Sequence, residues 1–202
     1  LEAAAPQIQA ELRSVLDASG GGGVFSGDSA LQSQVMGAGW SALRLQRLGN
    51  WNEEMLAKFP VTAQILEDLE IPTAIRGVMF ARMVPRSAVA RHSDGRNFIL
   101  TCHLGLEVPK EGCWVETAGE RKEWQEGKAI VLDTSFYHET GNESDQDRFV
   151  LIIDVWHPDL TEEERAALKV VYDLRYEYDR AVIEQTEVAK KNEGGQFSFP
   201  QF

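Results

Sequence analysis

The sequence is poor in cysteine, since Cys102 and Cys113 are the only two among its 202 residues. Two cysteines cannot build the disulfide framework that holds small secreted domains together. Cys102 lies in an apolar segment and is expected to be a small buried hydrophobic residue. The sequence also lacks a signal-peptide pattern and any apolar run of about 18 residues, the length that a transmembrane helix needs. These absences favour a cytoplasmic protein.

Basic residues are also few: 20 Lys and Arg stand against 32 Asp and Glu, which gives a formal net charge of -12. A field of this sign repels nucleic-acid phosphates and anionic lipid surfaces. We therefore expect no nucleic-acid partner and no membrane partner. A small-molecule or peptide substrate, bound in a locally basic pocket, remains compatible with the composition.

Histidine is scarce as well, with four residues, and two of the four belong to a pattern. His92 is followed by Asp94, and His138 and Arg148 come later, each beside an apolar, strand-like segment. On extended backbone, residues i and i+2 project from the same face, so His92 and Asp94 are aimed at one centre. Two imidazoles and one carboxylate leave three positions of Fe(II) open, which dioxygen and a chelating oxo-acid need. The pattern predicts an iron site with His92, Asp94 and His138 as metal ligands and catalytic residues.

Arg148 opens residues 148–156, the most strand-like segment of the chain. A hairpin through residues 139–147 would bring Arg148 alongside the strand that ends at His138. An arginine that faces a barrel interior is costly unless it meets an anion. We therefore predict that Arg148 binds one end of a dicarboxylate co-substrate. Taken alone, Arg148 would be interpreted as a surface charge, and His-x-Asp occurs often by chance, so the ordered combination carries the prediction.

A second interpretation of Asp94 stays open. Its side chain could bond Arg91 or Arg96, or accept a backbone N–H in the turn at Gly95. Both positions are compatible with the sequence. Only the metal-ligand interpretation would close a coordination position of iron.

The region from Val78 to Trp156 consists of short strand-like segments separated by glycine and proline turns, without intervening helices. This pattern indicates an antiparallel sandwich or barrel. We predict a mainly β fold with flanking helices, namely a double-stranded β-helix of the jelly-roll or cupin type. The length favours one oxygenase domain, residues 1–202. It would comprise an N-terminal helix and glycine-rich loop (1–39), a β-helix core (about 40–158), and a C-terminal helix and tail (159–202).

Helical periodicity occurs outside that core. A first helix is indicated by apolar residues at helical spacing: Ile8, Leu12, Val15 and Leu16. A short helix is predicted at 62–69, with Ile65, Leu66 and Leu69 buried. A capping box at Thr161 and Glu164 opens a long C-terminal helix. Its apolar stripe is expected to pack against the barrel or a second copy of the chain, which would form a homodimer: Leu168, Val171, Leu174, Tyr178 and Val182. The tail 194–202 is expected to be a mobile segment or a lid.

Several longer motifs occur in order along residues 40–160. They are Phe59-Pro60-x-Thr62, Met83-x-Pro85, His103-Leu104-Gly105-Leu106-x-Val108-Pro109, Asp133-x-Ser135-Phe136-x-His138, and Arg148-x-Val150-Leu151-Ile152-x-Asp154-Val155-Trp156-His157-Pro158. With this combination the sequence resembles the aspartyl/asparaginyl β-hydroxylase family, which consists of Fe(II)- and 2-oxoglutarate-dependent oxygenases on a double-stranded β-helix.

The resemblance implies roles for individual residues. His92 and His138 would be iron ligands, and Arg148 would hold the distal carboxylate of 2-oxoglutarate. His103 would help to hold the co-substrate near its chelating end. Thr101 and Met83 would belong to the same co-substrate pocket.

Two positions depart from the family pattern. Family members have glycine at the position of Asp94 and arginine at the position of Thr101, which offers only a hydroxyl group to the oxo-acid. Nearby arginines could compensate, bind a substrate carboxylate or simply form a solvated rim: Arg86, Arg91 and Arg96.

The expected cofactors are Fe(II), 2-oxoglutarate as co-substrate, and O2. The expected reaction hydroxylates an unactivated C–H bond of a small molecule, amino acid or peptide, with succinate and CO2 as co-products. Two other functions fit the sequence: an iron cupin dioxygenase that does not use 2-oxoglutarate, and a non-catalytic barrel that serves as a binding module.

Overall fold

A computed structural model describes residues 1–21, 25 and 36–192. Its helices are α1 (Ala5–Ala18), α2 (Glu53–Lys58), α3 (Pro60–Asp68) and α4 (Glu162–Asn192). Its strands are β1 (Trp40–Arg47), β2 (Asn50–Trp51), β3 (Thr73–Met83), β4 (Ser87–His92), β5 (Ile99–Glu107), β6 (Cys113–Thr117), β7 (Glu120–Glu123), β8 (Ala129–Leu132), β9 (His138–Asn142) and β10 (Arg148–Trp156). Most of the predicted glycine-rich loop and all of the tail 194–202 lie outside the described residues.

The ten strands form two antiparallel sheets. The larger sheet has the order β2-β1-β3-β10-β5-β8, and the smaller sheet has the order β4-β9-β6-β7. No helix interrupts the chain between β3 and β10, which is the pattern that the turn signals predicted. The predicted double-stranded β-helix, with a long C-terminal helix after it, is confirmed.

Strand β10 lies in the middle of the larger sheet, between β3 and β5. Successive residues of a strand point to opposite faces of its sheet. Phe149, Leu151 and Ile153 therefore join one core, which α1 covers, while Val150 and Ile152 join a second core between the two sheets. Because both faces are covered, β10 is buried without interruption from Arg148 to Asp154. The inter-sheet face is the one that carries the site.

The predicted hairpin before Arg148 is wrong in its pairing. His138 does not end a strand but begins β9 in the smaller sheet, where β9 pairs with β4 and β6. Arg148 begins β10 in the other sheet, so the segment between them crosses from one sheet to the other. Buried Asn142 holds this crossing, because its Nδ2 donates to the carbonyl oxygens of Met83, Val84 and Gln146. His138 and Arg148 consequently face each other across the inter-sheet space.

Helix α1 buries Ile8, Leu12 and Leu16 as predicted. Helix α3 differs from its prediction, since it begins at Pro60, and Leu69 is exposed. Proline is favoured in the first helical turn, where its missing N–H has no intrahelical partner to lose.

The N-terminus of α3 is capped by a residue from another helix. The carboxylate of Glu11, on α1, accepts hydrogen bonds from the backbone N–H of Val61, the backbone N–H of Thr62 and the hydroxyl of Thr62. Thr62 is fully buried, so this carboxylate satisfies groups that water cannot reach. The capping joins α1 to α3 on the outer face of the larger sheet.

Helix α4 belongs to a second compact unit of the chain, which begins at Thr161. Its predicted capping box is present: the Glu164 N–H donates to the Thr161 hydroxyl, and the Thr161 N–H donates to the Glu164 carboxylate. Four residues of its predicted apolar stripe are 42–70% exposed: Val171, Leu174, Tyr178 and Val182. Packing of the stripe against the barrel stays a prediction. Burial by a second copy, and the organisation as one domain, stay predictions. None of the described helices is long and apolar enough to cross a bilayer.

The capping by Glu11 predicts a large effect for a residue on a helix surface. Glu11→Ala leaves three hydrogen-bond donors at the start of α3 without their acceptor, so we expect a loss of about 1–3 kcal/mol in the free energy of unfolding. The matched control is Glu54→Ala, which removes only an exposed ion pair with Lys58 and should cost no more than about 0.5 kcal/mol. Urea denaturation would measure both. Equal losses would mean that the capping bonds do not stabilise the fold.

Candidate metal centre and co-substrate pocket

His92 and His138 lie opposite each other on neighbouring strands. They are register partners in the β4–β9 ladder, and their ring centroids are 4.3 Å apart. Between this pair and the pair Val89–Thr140, β4 contains one residue more than β9. Such a bulge turns the end of a strand and re-aims its side chains. Here it brings both imidazoles to one point at the edge of the smaller sheet.

Backbone carbonyls fix the orientation of both rings. Nδ1 of His92 lies 2.7 Å from the carbonyl oxygen of Ala90, and Nδ1 of His138 lies 3.0 Å from that of Phe136. A carbonyl oxygen can only accept, so each Nδ1 carries the proton and each Nε2 presents a lone pair. The Nε2 of His92 is buried and has no hydrogen-bond partner among the described residues. A metal ion is the partner that such a nitrogen fits.

Asp94 completes a three-residue cluster. The ligand atoms of His92, Asp94 and His138 all lie within 4.8 Å of one another, and the Asp94 Oδ1 is 3.7 Å from the His92 Nε2. Arg96 donates to the backbone oxygen of Asp94, while Arg91 lies over the ring of Tyr137. Two imidazole nitrogens and one carboxylate oxygen suit Fe(II) with open coordination positions. The cluster could therefore hold the metal as the sequence predicts.

Two hydrogen bonds connect the segments that carry these ligands. The Ser93 hydroxyl donates to the carbonyl oxygen of Ser135 at 2.7 Å, and the Asp94 N–H donates to that of Thr134 at 2.9 Å. The loop itself is stabilised by Asp133, whose Oδ1 accepts from the backbone N–H and the hydroxyl of Ser135. The loop that delivers His138 is thereby tied to the strand end that delivers His92 before any metal binds.

Arg148 is the largest fully buried side chain of the larger sheet, with 1% of its surface exposed. Its Nη1 is 3.3 Å from the Thr140 hydroxyl, its guanidinium carbon lies 4.2 Å from the centroid of the Trp124 ring, and its Nε has no hydrogen-bond partner among the described residues. Burial lowers the pKa of Arg148 to about 10, and no carboxylate of the described chain contributes to opposing that shift. Within the described part of the chain, Arg148 is thus a buried cation without a counter-ion.

The distance between the metal cluster and Arg148 is set by β9. Arg148 contacts Thr140, which lies two residues after His138 on β9 and therefore on the same face of that strand. Two residues of a strand span about 7 Å. This separation suits a short dicarboxylate that chelates the metal at one end and meets the guanidinium at the other.

The three other predicted co-substrate residues differ in position. His103 lines the pocket, and its ring is stacked on that of Trp124 with an interplanar angle of 8°. Thr101 also lines the pocket, but its hydroxyl donates its proton to the Asp154 Oδ1 at 2.7 Å. Met83 is buried in the core between the sheets as the register partner of Arg148.

Comparison with known proteins decides the family. The model of a family described as aspartyl/asparaginyl beta-hydroxylase matches residues 2–158. This chain belongs to that family. The human aspartyl/asparaginyl beta-hydroxylase is 37% identical over 134 residues, which cover 65% of this chain and 18% of the human protein. The human aspartate beta-hydroxylase domain-containing protein 2 is 32% identical over 123 residues, or 57% of this chain and 32% of that protein. The chain thus spans less than a third of the length of these two relatives.

Solved structures with a similar outline are more distant. A cupin 2 conserved barrel domain protein from Salinispora arenicola has a TM-score of 0.39 and 11% identity, covering 74% of this chain and 97% of that one. A sugar phosphate isomerase from a cupin superfamily, from Silicibacter pomeroyi, has a TM-score of 0.40 and 14% identity, covering 67% of this chain and 70% of that one.

The hydroxylase-family pocket contains residues that the sequence analysis missed. Trp124 lines the pocket and contacts both Arg148 and His103. Thr140 and Asp154 also line it. The sequence could have identified Thr140 and Asp154, because side chains an even number of residues apart on a strand point to the same face. Thr140 is two residues from His138, and Asp154 is six residues from Arg148. Arg86 does not line the pocket: it precedes β4, at the end of that strand opposite to His92, and forms an exposed ion pair with Asp145.

The unpaired charge of Arg148 predicts that its removal stabilises the protein without ligand. Because burial lowers the pKa of Arg148 from its usual value to about 10, the guanidinium stays charged at pH 7, and its desolvation opposes folding by about 3 kcal/mol. Loss of the contact with Trp124 offsets part of this, so Arg148→Met should raise the free energy of unfolding by about 1–2 kcal/mol.

The control is Arg121→Met. Arg121 also lies over a tryptophan, Trp114, at 3.9 Å, but it is exposed and paired with Glu143. This variant should lose up to about 1 kcal/mol, the opposite sign. Chemical denaturation at pH 7 measures both variants. A destabilised Arg148→Met protein would show that the guanidinium is compensated in the folded state.

Proposed function

We propose that this chain is an Fe(II)- and 2-oxoglutarate-dependent dioxygenase that hydroxylates an unactivated C–H bond and releases succinate and CO2. The observation that carries the proposal is the buried, uncompensated guanidinium of Arg148 beside the cluster of His92, Asp94 and His138. A neutral substrate would leave that charge unpaired, whereas the distal carboxylate of 2-oxoglutarate would neutralise it. Membership of a hydroxylase family supports the reaction type.

Each residue of the pocket has a defined task in this proposal. His92 and His138 would hold the metal through Nε2, and Asp94 would add a carboxylate oxygen. When bound, the iron and 2-oxoglutarate together supply the activation of dioxygen. Arg148 would bind the distal carboxylate of the oxo-acid. This contact would orient the oxo-acid and select the chain length that reaches from the metal to the guanidinium. His103, stacked on Trp124, would contact the co-substrate nearer to the metal.

The apolar lining of the pocket protects this chemistry from water. Val115, Leu132 and Ile152 line the pocket from the two sheets. They stand beside polar residues such as Thr101 and Asp154, and a bound substrate would displace water from the space between them. This exclusion of water would favour attack on a C–H bond over uncoupled consumption of the co-substrate.

The substrate class is a small molecule, an amino acid or a peptide, acted on in the cytoplasm. The strongly acidic chain disfavours polyanions, so nucleic acid is not among the proposed substrates. Hydroxylation of an aspartyl or asparaginyl residue is what the names of the relatives indicate for those proteins, and it is the first substrate class to test here.

The proposed function predicts iron- and 2-oxoglutarate-dependent succinate formation, together with gain of one oxygen atom by a substrate in a metabolite or peptide pool, measured by mass spectrometry. His92→Ala and His138→Ala should each weaken iron binding by more than about 100-fold and abolish turnover. His157→Ala is the matched control, since His157 lies outside the cluster beside Asp159 and should leave iron binding unchanged.

Other outcomes would assign other functions. Substrate oxidation without succinate would indicate a cupin dioxygenase that does not use 2-oxoglutarate. A protein that binds no iron would be a non-catalytic binding module. Turnover retained in His92→Ala or in His138→Ala would refute the metal site.

Asp94 gives a separate prediction. If its carboxylate holds the metal, Asp94→Gly should lower iron affinity by about 10- to 100-fold yet keep part of the activity, because two imidazoles still hold the ion. The vacated position would then admit chloride or azide, seen as an anion-dependent change in the absorption of the iron–2-oxoglutarate complex. Asp94→Asn is the control, since it keeps the shape and one oxygen ligand. Iron affinity unchanged in Asp94→Gly would place the carboxylate outside the coordination sphere.

A further inference from the structure

The partner of Arg148 is unusual for a buried arginine. Buried arginines are ordinarily paired with carboxylates, which neutralise them. Here the guanidinium lies over the face of Trp124, 4.2 Å from the ring centroid. The face of an indole ring attracts a cation through its quadrupole but carries no net charge. Trp124 can therefore hold the guanidinium in place without neutralising it.

The same ring contacts the second polar side chain of the pocket wall. The imidazole of His103 is stacked parallel to Trp124 with centroids 5.7 Å apart. His103 belongs to β5 and pairs with Ile152, so it lies several residues along the sheet from Arg148. One indole thus joins the two residues that the proposed function assigns to the co-substrate.

The chain around Trp124 fixes the ring by backbone contacts. The Trp124 N–H donates to the Cys113 carbonyl oxygen at 3.0 Å. Beyond it, the turn at residues 125–128 lies directly on β5: the Gly105 N–H donates to the Lys128 oxygen, and the Gly127 N–H donates to the Gly105 oxygen. Gly105 permits this approach, since a Cβ there would overlap the Gln125 carbonyl oxygen.

The indole has no hydrogen bond of its own. Trp124 is 2% exposed, and its Nε1–H is buried without an acceptor among the described residues. Buried tryptophans usually find an acceptor, and an unsatisfied donor reduces stability. The position of the ring is therefore determined by its stacking contacts and not by a hydrogen bond from its Nε1–H. The indole also belongs to the apolar core between the two sheets, so its burial contributes to stability although its N–H has no acceptor among the described residues.

We propose that Trp124 is a positioning residue that gives the pocket its selectivity for dicarboxylate oxo-acids. It aims the Arg148 guanidinium at the distal end of the co-substrate and leaves its charge available. A carboxylate at this position would orient Arg148 as well, but it would compete with the carboxylate of the ligand. The inference rests on the proposed function, because it assumes that Arg148 meets the co-substrate.

The test compares two oxo-acids that differ at the distal end. 2-Oxoglutarate has a distal carboxylate, and 2-oxobutyrate keeps the chelating end but lacks that group. Anaerobic binding of each to the Fe(II)-loaded protein is followed by the charge-transfer absorption of the chelated oxo-acid, in the wild type, Trp124→Phe and Trp124→Leu. Iron affinity and the thermal midpoint are measured in parallel. The matched control is Trp114→Leu, which removes the half-buried stacking partner of Arg121 outside the pocket.

We expect the Kd for 2-oxoglutarate to rise about tenfold in Trp124→Leu and less in Trp124→Phe, which retains an aromatic face. The Kd for 2-oxobutyrate should change less than about twofold, so the preference between the two oxo-acids falls. Trp114→Leu should keep the preference of the wild type. If Trp124→Leu does not fold, the preference of Trp124→Phe decides the question.

Two results would overturn the inference while the proposed function stands. One is an unchanged preference in the Trp124 variants. The other is an equal loss of affinity for both oxo-acids, which indicates a structural role alone. A wild-type protein that binds 2-oxoglutarate no better than 2-oxobutyrate would instead refute the co-substrate role of Arg148, and the inference with it.

Discussion

The organisation of this molecule depends on one buried cation. The desolvated guanidinium of Arg148 lowers stability, and the rest of the fold has to tolerate it. Strand β10 can do so because it pairs on both edges and contributes apolar residues to two cores. The charge thus sits at the start of the best-supported strand. A surface strand could not hold an arginine away from water, and an apolar residue at this position would provide nothing for an anion to bind.

The metal cluster is organised by a different principle, namely the alignment of two strand ends. His92 ends β4 and His138 begins β9, and a bulge brings them into register. Carbonyl groups orient both rings, while the Ser93–Ser135 hydrogen bond holds the two segments together. Because these contacts involve only protein atoms, the donor atoms are arranged in advance, and little conformational entropy is lost when a ligand binds. Rigid placement of ligand atoms is what a site with open coordination positions requires.

Much of this was accessible from the sequence, for identifiable reasons. The order of His92, Asp94, His138 and Arg148 could be found because each lies beside a strand-like segment and period two determines which side chains share a face. The pairing of β9 with β4 could not, since it depends on how residues 143–147 cross between the sheets around Asn142. The capping of α3 by Glu11 and the stacking of Trp124 on Arg148 are also contacts between segments distant in sequence. These contacts depend on tertiary packing, which local sequence patterns do not predict.

Charge balance gives a physical reason for the departure at Asp94. In the proposed complex, the double positive charge of Fe(II) and the single charge of Arg148 would face the two carboxylates of 2-oxoglutarate. Those four charged groups sum to one excess positive charge, which is unfavourable in a pocket largely removed from water. Arg44 and Asp154 also line the pocket, but their opposite formal charges leave this sum unchanged. The carboxylate of Asp94 removes that excess, whereas a glycine would leave it for an anion from solution or a negatively charged substrate to balance. In the proposed complex, Asp94 would therefore allow the pocket to take a substrate that brings no negative charge to the metal.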